Sequence, residues 1–143
     1  MYKKDLNRTF ETFSAHKSIR VGELTLDKTS IVEYSVSIDL TGDVVIEKYA
    51  HIAHKVMIFT HKHRWGHTRK LRKNIEGSII PVDLNIGMDA FIGFGSILIA
   101  VSFVGSGAII GAGTVLTSNV PPYEIWAGNP ARKIGDRRDD LFS

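Results

Sequence analysis

The sequence predicts an all-β fold: a single-stranded parallel β-helix built from six-residue rungs, with short helical caps at its termini. Three observations predict it. From Ile80 to Leu116 an aliphatic residue returns every sixth position, at Ile80, Ile86, Ile92, Leu98, Val104, Ile110 and Leu116. A small residue stands two positions before most of them, at Ala90, Ser96, Ser102, Ala108 and Thr114. Glycine follows four of them, at Gly87, Gly93, Gly105 and Gly111. A period of six matches neither an α-helix nor a plain strand. It matches a coil in which each of three flat sides takes one hexapeptide.

Three hexads close one coil, so residue i is expected beneath i+18, with successive coils about 4.8 Å apart. Ile80 should then stack with Leu98 and Leu116, Ile86 with Val104, and Ile92 with Ile110. The aliphatic residues fill the interior and the small ones fit tight corners. Glycine at a corner tolerates backbone angles that a Cβ would oppose. Upstream, Leu40, Ile46, Ile52 and Ile58 keep the spacing, with Ile38, Val44, Ala50 and Val56 two residues earlier. Thr41, Glu47, Ala53 and Phe59 occupy the glycine place there, so this half is more degenerate. An ordinary β-sandwich gives no reason for so many aliphatics and glycines in phase.

Residues 1–37 are expected to form an N-terminal cap and an irregular first coil. Leu6, Phe10 and Phe13 share one face of an amphipathic helix over 1–15. Residues 38–120 form the β-helix. The step from Ile58 to Ile80 is not a multiple of six, so a loop over 61–78 protrudes from one corner. That loop carries six of the eighteen Lys and Arg residues and three of the six histidines, His61, His63 and His67. A loop of this length inside a compact domain is commonly functional. Pro121 and Pro122 end the ladder, since proline has no N–H to donate to it. Residues 121–143 are a C-terminal tail in which Trp126 packs against the last coil and the charged end forms a short helix or frays.

The length of 143 residues gives one domain. Cysteine is absent, which excludes disulfides, thiolate metal sites and a cysteine nucleophile. No leader-like apolar stretch opens the chain and no run is long and apolar enough to span a bilayer, so a cytoplasmic protein is expected. A net charge of +3 with a pI near 9.2 is mild, and no nucleic-acid-binding module is present. The visible hexads make a prism about 18 Å tall. So short a stack needs caps or partner subunits, and a three-sided prism suits a homotrimer.

The segment Gly111-Ala112-Gly113-Thr114-Val115-Leu116-Thr117-Ser118-Asn119-Val120-Pro121-Pro122, followed by Ala127-Gly128-Asn129-Pro130-Ala131-Arg132, resembles the C-terminal signature of the hexapeptide-repeat acyltransferases. The similarity spans about residues 38–135. It is strongest to the O-acetyltransferase branch that includes the maltose, galactoside and polysaccharide-modifying enzymes, and the histidine-bearing loop matches as well. The resemblance implies a left-handed prism, mostly a trimer, with active sites between subunits and acetyl-CoA as acyl donor. No metal is implied.

Transfer of an acetyl group from a thioester to a hydroxyl needs a base, and imidazole suits it because its ordinary pKa lies near working pH. Direct transfer in a ternary complex requires no enzyme nucleophile. Ile58-Phe59-Thr60-His61-Lys62-His63-Arg64 aligns without a gap on the family pattern, so His63 takes the base's place and His61 is the runner-up. Arg64 stands where the sugar enzymes have proline. By the same resemblance Phe94, Ala112, Thr117 and Ser118 line the coenzyme A groove and Arg132 meets a phosphate. Ser118 replaces the family's usual lysine, and Lys133, beside Arg132, is a candidate to supply the missing charge. Arg64 and Trp65, in the basic run from Lys62 to Lys73, are candidate contacts for an acidic or sugar-like acceptor. Two alternatives remain at this point. One is a carbonic-anhydrase-like zinc enzyme on the same prism, for which the His63-x3-His67 spacing, with His51 and His54 a coil earlier, departs from the family pattern. The other is a trimeric scaffold without catalysis.

Overall fold

The structure is a computed structural model and describes residues 10–64 and 78–140. The chain winds through three parallel sheets, each taking one strand per coil. The first face holds β1 (Glu11–Phe13), β4 (Ser37–Asp39), β7 (Met57–Phe59), β12 (Ile97–Ile99) and β15 (Val115–Leu116). The second holds β2 (Leu24–Leu26), β5 (Val44–Ile46), β10 (Leu84–Ile86) and β13 (Phe103–Val104). The third holds β3 (Ile31–Val32), β6 (His51–Ile52), β11 (Phe91–Ile92), β14 (Ile109–Ile110), β16 (Glu124–Gly128) and β17 (Ala131–Asp136). A separate antiparallel pair, β8 (His61–His63) with β9 (Ile79–Pro81), projects from the corner between the first and second faces.

The six-residue period produces this coil because each rung turns one aliphatic side chain inward. Ile38, Ile46, Ile52, Ile58, Ile86, Ile92, Leu98, Ile110 and Leu116 are all fully buried. The expected stacks Ile86–Val104, Ile92–Ile110 and Leu98–Leu116 are adjacent in the ladders. Ile80 is not in its expected stack: it pairs with Lys62 in the projecting ribbon, and Leu98 lies on Ile58 instead. The coils from β2 to β5, β3 to β6 and β4 to β7 take twenty residues rather than eighteen, since Ile38 pairs with Ile58 and Val32 with Ile52, and the turn that carries His16 lengthens the step from β1 to β4 to twenty-six. The two extra residues lie between Ile38 and Ile46, which are eight apart, so Leu40 belongs to a widened corner rather than to a rung.

Two further expectations change. Gly87, Gly93 and Gly105 do not serve through positive φ. A Cβ there would come within 2.5 Å of backbone in the next coil, so close approach is what requires glycine. Positive φ occurs two residues further on, at Gly95, Gly107 and Gly113 and at the non-glycines Tyr49, Lys55 and Asp89. Ser102 is exposed, and Val101 is buried at that corner in its place.

The helical caps fare differently at the two ends. Residues 11–13, assigned to a helix by the spacing of Leu6, Phe10 and Phe13, form β1, which adds to β4 in parallel. The ladder on one side outcompetes a short helix that has little to pack against. Leu6 lies outside the described residues. At the other end the tail is a hairpin: β16 continues the third face under Ile109 and Ile110, and β17 returns antiparallel through a turn with a cis Asn129–Pro130 peptide. A single helical turn, α1 (Arg137–Asp140), follows. Trp126 is partly buried against the core, as its position suggests. Among the described residues no helix is long and apolar enough to cross a membrane.

Candidate active site

The corner between the first and second faces is irregular in three successive coils. In the first it is the turn that carries His16, in the second the widened segment after Asp39, and in the third the excursion that begins at His61. Stacking brings these three segments together. Gly22 and Gly42 let the coils approach, because a Cβ on Gly42 would reach within 2.4 Å of the Val82 carbonyl oxygen. Arg20 crosses the corner to Asp43 at 2.8 Å and to Asp83 at 3.4 Å.

Asp39 is the centre of this corner. It ends β4 and is fully buried. A buried carboxylate is stable only with a full set of donors. Its Oδ1 accepts the Ala15 N–H at 2.9 Å, the Thr41 N–H at 3.1 Å and the Thr41 hydroxyl at 2.8 Å. Its Oδ2 accepts the Thr60 N–H at 3.0 Å and meets His61 Nδ1 at 2.7 Å. The Thr60 hydroxyl donates to the Asp39 carbonyl at 2.7 Å and accepts the Gly42 N–H at 2.8 Å. Burial pushes the Asp39 carboxyl up, but the hydrogen bonds from Ala15, His61, Thr41 and Thr60 outweigh it and hold it at about 2.

An ionised carboxylate only accepts, so His61 Nδ1 carries the proton of this contact and Nε2 is the ring nitrogen left to face the site. The His61 side chain is 11% exposed. His63 follows at the end of β8, where its backbone pairs with Ile79 and the next N–H, from Arg64, donates to Ser78 at 2.6 Å. His16 completes the group. Its ring centroid is 4.6 Å from that of His61 and 5.7 Å from that of His63, and His61 and His63 are 5.4 Å apart, all nearly edge to face. Burial, then the neighbouring His61 and His63, push the His16 imidazole below its ordinary value, against the pull of Asp39.

The other sequence-derived candidates fall elsewhere. Phe94 and Ala112 lie one coil apart on the adjoining edge, with the Gly113 N–H donating to the Phe94 carbonyl at 2.8 Å. Both are exposed, and Lys55 Nζ sits 5.9 Å from the Phe94 ring centroid. Thr117 and Ser118 are exposed on the same edge as the histidines, two rungs further along the stack. Arg132 and Lys133 project from β17 on the third face. Lys133 Nζ already meets Glu124 at 3.3 Å, and Arg132 donates to the Ala131 carbonyl at 2.9 Å. Arg64 is exposed. Trp65 and His67 lie outside the described residues. His51 and His54, offered for a zinc site with His63 and His67, face Glu33 at 3.0 and 3.7 Å on another edge. A shallow groove of about 800 Å³, lined by Asp27, Lys28, Glu47, Lys48, Met88 and Ser106 among others, contains none of the candidate residues.

Asp39 and His16 escaped the reading of the sequence. For Asp39 the only signal, an acidic residue beside an inward isoleucine, was masked by Leu40, whose six-residue spacing to Ile46 hides the eight-residue side. For His16 there was none, because its place depends on how the first turn folds over the next coil.

Comparison with known proteins places this architecture. No family model matches the chain. It is similar to a galactoside O-acetyltransferase of Escherichia coli strain K12, 30% identical over 130 residues, covering 89% of this chain and 58% of that protein. It is 41% identical over 69 residues to a chloramphenicol acetyltransferase of Agrobacterium fabrum, covering 48% of this chain and 33% of that one. The chain thus spans from one third to under two thirds of the length of these relatives. Among solved structures, a hexapeptide-repeat acetyltransferase of Vibrio cholerae complexed with acetyl coenzyme A superposes with a TM-score of 0.69, at 18% identity, over 80% of this chain and 64% of that one.

Proposed function

We propose that this chain, which has the fold of the hexapeptide-repeat acetyltransferases, is an acetyl-CoA-dependent O-acetyltransferase acting on a hydroxyl of a sugar or polysaccharide. One observation carries the reading. The corner excursion of a hexapeptide coil delivers two adjacent imidazoles, and a buried carboxylate fixes one of them. Binding of acetyl coenzyme A by the similar Vibrio cholerae protein supports the donor. The named acceptors of the relatives, a galactoside and chloramphenicol, support a hydroxyl-bearing acceptor. In this reading the coil is left-handed and the protein is a homotrimer.

The chemistry needs a lone pair close to the acceptor hydroxyl. An imidazole takes the hydroxyl proton as the oxygen bonds to the thioester carbonyl carbon. It returns that proton to the sulfur as the carbon–sulfur bond breaks, so acetyl ester and free thiol leave in balance. His63 holds the base's place by register. The contact of His61 with Asp39 favours a second reading, with His61 as base, because the carboxylate fixes the tautomer and orients that ring. Phe94, Ala112, Thr117 and Ser118 would line the coenzyme arm. Arg132 would meet a phosphate through its planar guanidinium, and Arg64 with Trp65 would face the acceptor.

Thiol release from acetyl-CoA, measured against a panel of sugars, amino sugars and antibiotics, tests the function. With an acceptor in hand, alanine at the base should lower kcat/KM by about 10²–10⁴-fold, and alanine at its neighbour by much less. Wild-type rates in both His63→Ala and His61→Ala would sink the mechanism.

A further inference from the structure

We propose that His16, His61 and His63 form a binding site for a zinc-class divalent cation. Each offers one ring nitrogen, and the three nitrogens lie within 4.8 Å of one another. Three nitrogens around a tetrahedral zinc stand about 3.4 Å apart, given bonds near 2.0–2.1 Å. Small rotations of the rings close that difference. The rings already stand nearly perpendicular to one another in every pairing.

The outer shell prepares the group for a metal. His ligands of metals usually donate their second ring N–H to a carboxylate or carbonyl, which fixes the tautomer and the ring's direction. His61 has that arrangement, with Nδ1 on Asp39 at 2.7 Å and Nε2 left as the donor atom. The same carboxylate takes the Ala15 N–H at 2.9 Å and so anchors the turn carrying His16. One buried group therefore positions two of the three ligands, from coils that are not neighbours in sequence. Three protein nitrogens leave the fourth tetrahedral position for water or an anion.

Binding does not depend on the acetyltransferase reading. A consequence does rest on it: a cation held by His61 and His63 removes the lone pairs that a base needs, so zinc should inhibit transfer.

The test is titration of the full chain with zinc chloride alone, after treatment with a chelator, by calorimetry and by the visible absorption of the cobalt(II) form. We expect one ion per chain with micromolar or tighter affinity and a tetrahedral cobalt spectrum. His16→Ala should weaken binding at least tenfold, Asp39→Asn about 10–100-fold, and His51→Ala, on another edge, not at all. Circular dichroism and melting curves check that each variant folds, with His63→Gln as the second ligand variant should His16→Ala fail that check. Absence of binding below millimolar zinc would overturn the proposal. So would affinity unchanged in folded His16→Ala and His63→Gln, or lost equally in His51→Ala. Tight binding without inhibition would leave the metal site standing and count against the histidine base.

Discussion

At the scale of single residues, Asp39 governs the corner. Its donors come from three coils, so it ties the His16 turn, the widened corner and the start of the excursion into one piece. The linkage has a definite sign. The folded-state value, about 2, lies below the ordinary 3.8. The charged carboxylate therefore stabilises the fold above about pH 4, by about 2 kcal/mol, and this contribution fades as pH falls from about 4 towards 2. We predict that denaturant midpoints of the wild type drop across that interval more steeply than those of Asp39→Asn, which has no carboxyl to protonate. Parallel profiles for the two proteins would show that Asp39 does not carry this term. The residues of the site were legible in the sequence only where they belong to a pattern. His61 and His63 stand at the long break in the hexad register after Ile58, so the break itself marked them. Asp39 and His16 enter through stacking across coils of different length, and no local motif encodes which corner lies above which. The coenzyme candidates Phe94 and Ala112 were legible as a stacked pair because eighteen residues separate them, and the ladder keeps that offset in this part of the coil.

At the scale of the elements, the hexad period made the core and the downstream coils readable, while the upstream offset of twenty and the β8–β9 ribbon were not readable. A corner can absorb two extra residues, or a whole excursion, without disturbing the inward rungs on either side. Hydrophobic period alone therefore cannot count them. Glycine shows the same separation of causes. Gly87 and Gly95 both sit at turns of one coil, yet for different reasons. A Cβ on Gly87 would lie 2.5 Å from the Ser106 nitrogen, whereas Gly95 has φ +68° and open space around it. Alanine at Gly95 meets only the left-handed backbone cost, about 1–2 kcal/mol. Alanine at Gly87 forces two coils apart along a shared ladder, an overpacking cost of about 3 kcal/mol. We predict that Gly87→Ala melts well below Gly95→Ala, and the reverse order would mean that torsion rather than close approach governs these corners.

At the scale of the whole molecule, each face of the coil is narrow, and outward-pointing apolar side chains recur on all of them. Met57 and Ile99 lie on the first face, Val45 and Phe103 on the second and Phe91 on the third, each more than a third exposed. Singly, such residues are ordinary on a protein surface. Here outward apolar residues repeat from coil to coil, as Met57 with Ile97 and Phe59 with Ile99 do on the paired strands β7 and β12, and so form stripes along the prism axis. Parallel packing of prisms side by side covers such stripes, and a three-sided body closes a ring with two partners. Such closure also matters to the proposed chemistry, because the histidine corner and the Phe94–Ala112 edge lie on different edges of one prism. A second subunit can bring its own coenzyme-binding edge to the histidines of the first. We predict that sedimentation at micromolar concentration gives about three times the chain mass of 15.9 kDa. We also predict that two inactive variants, one altered at His63 and one at Ala112, regain activity when mixed and reassembled, because a mixed trimer contains sites with both intact edges. A stable monomer with full activity would contradict both expectations, since one prism would then hold donor and base on a single edge.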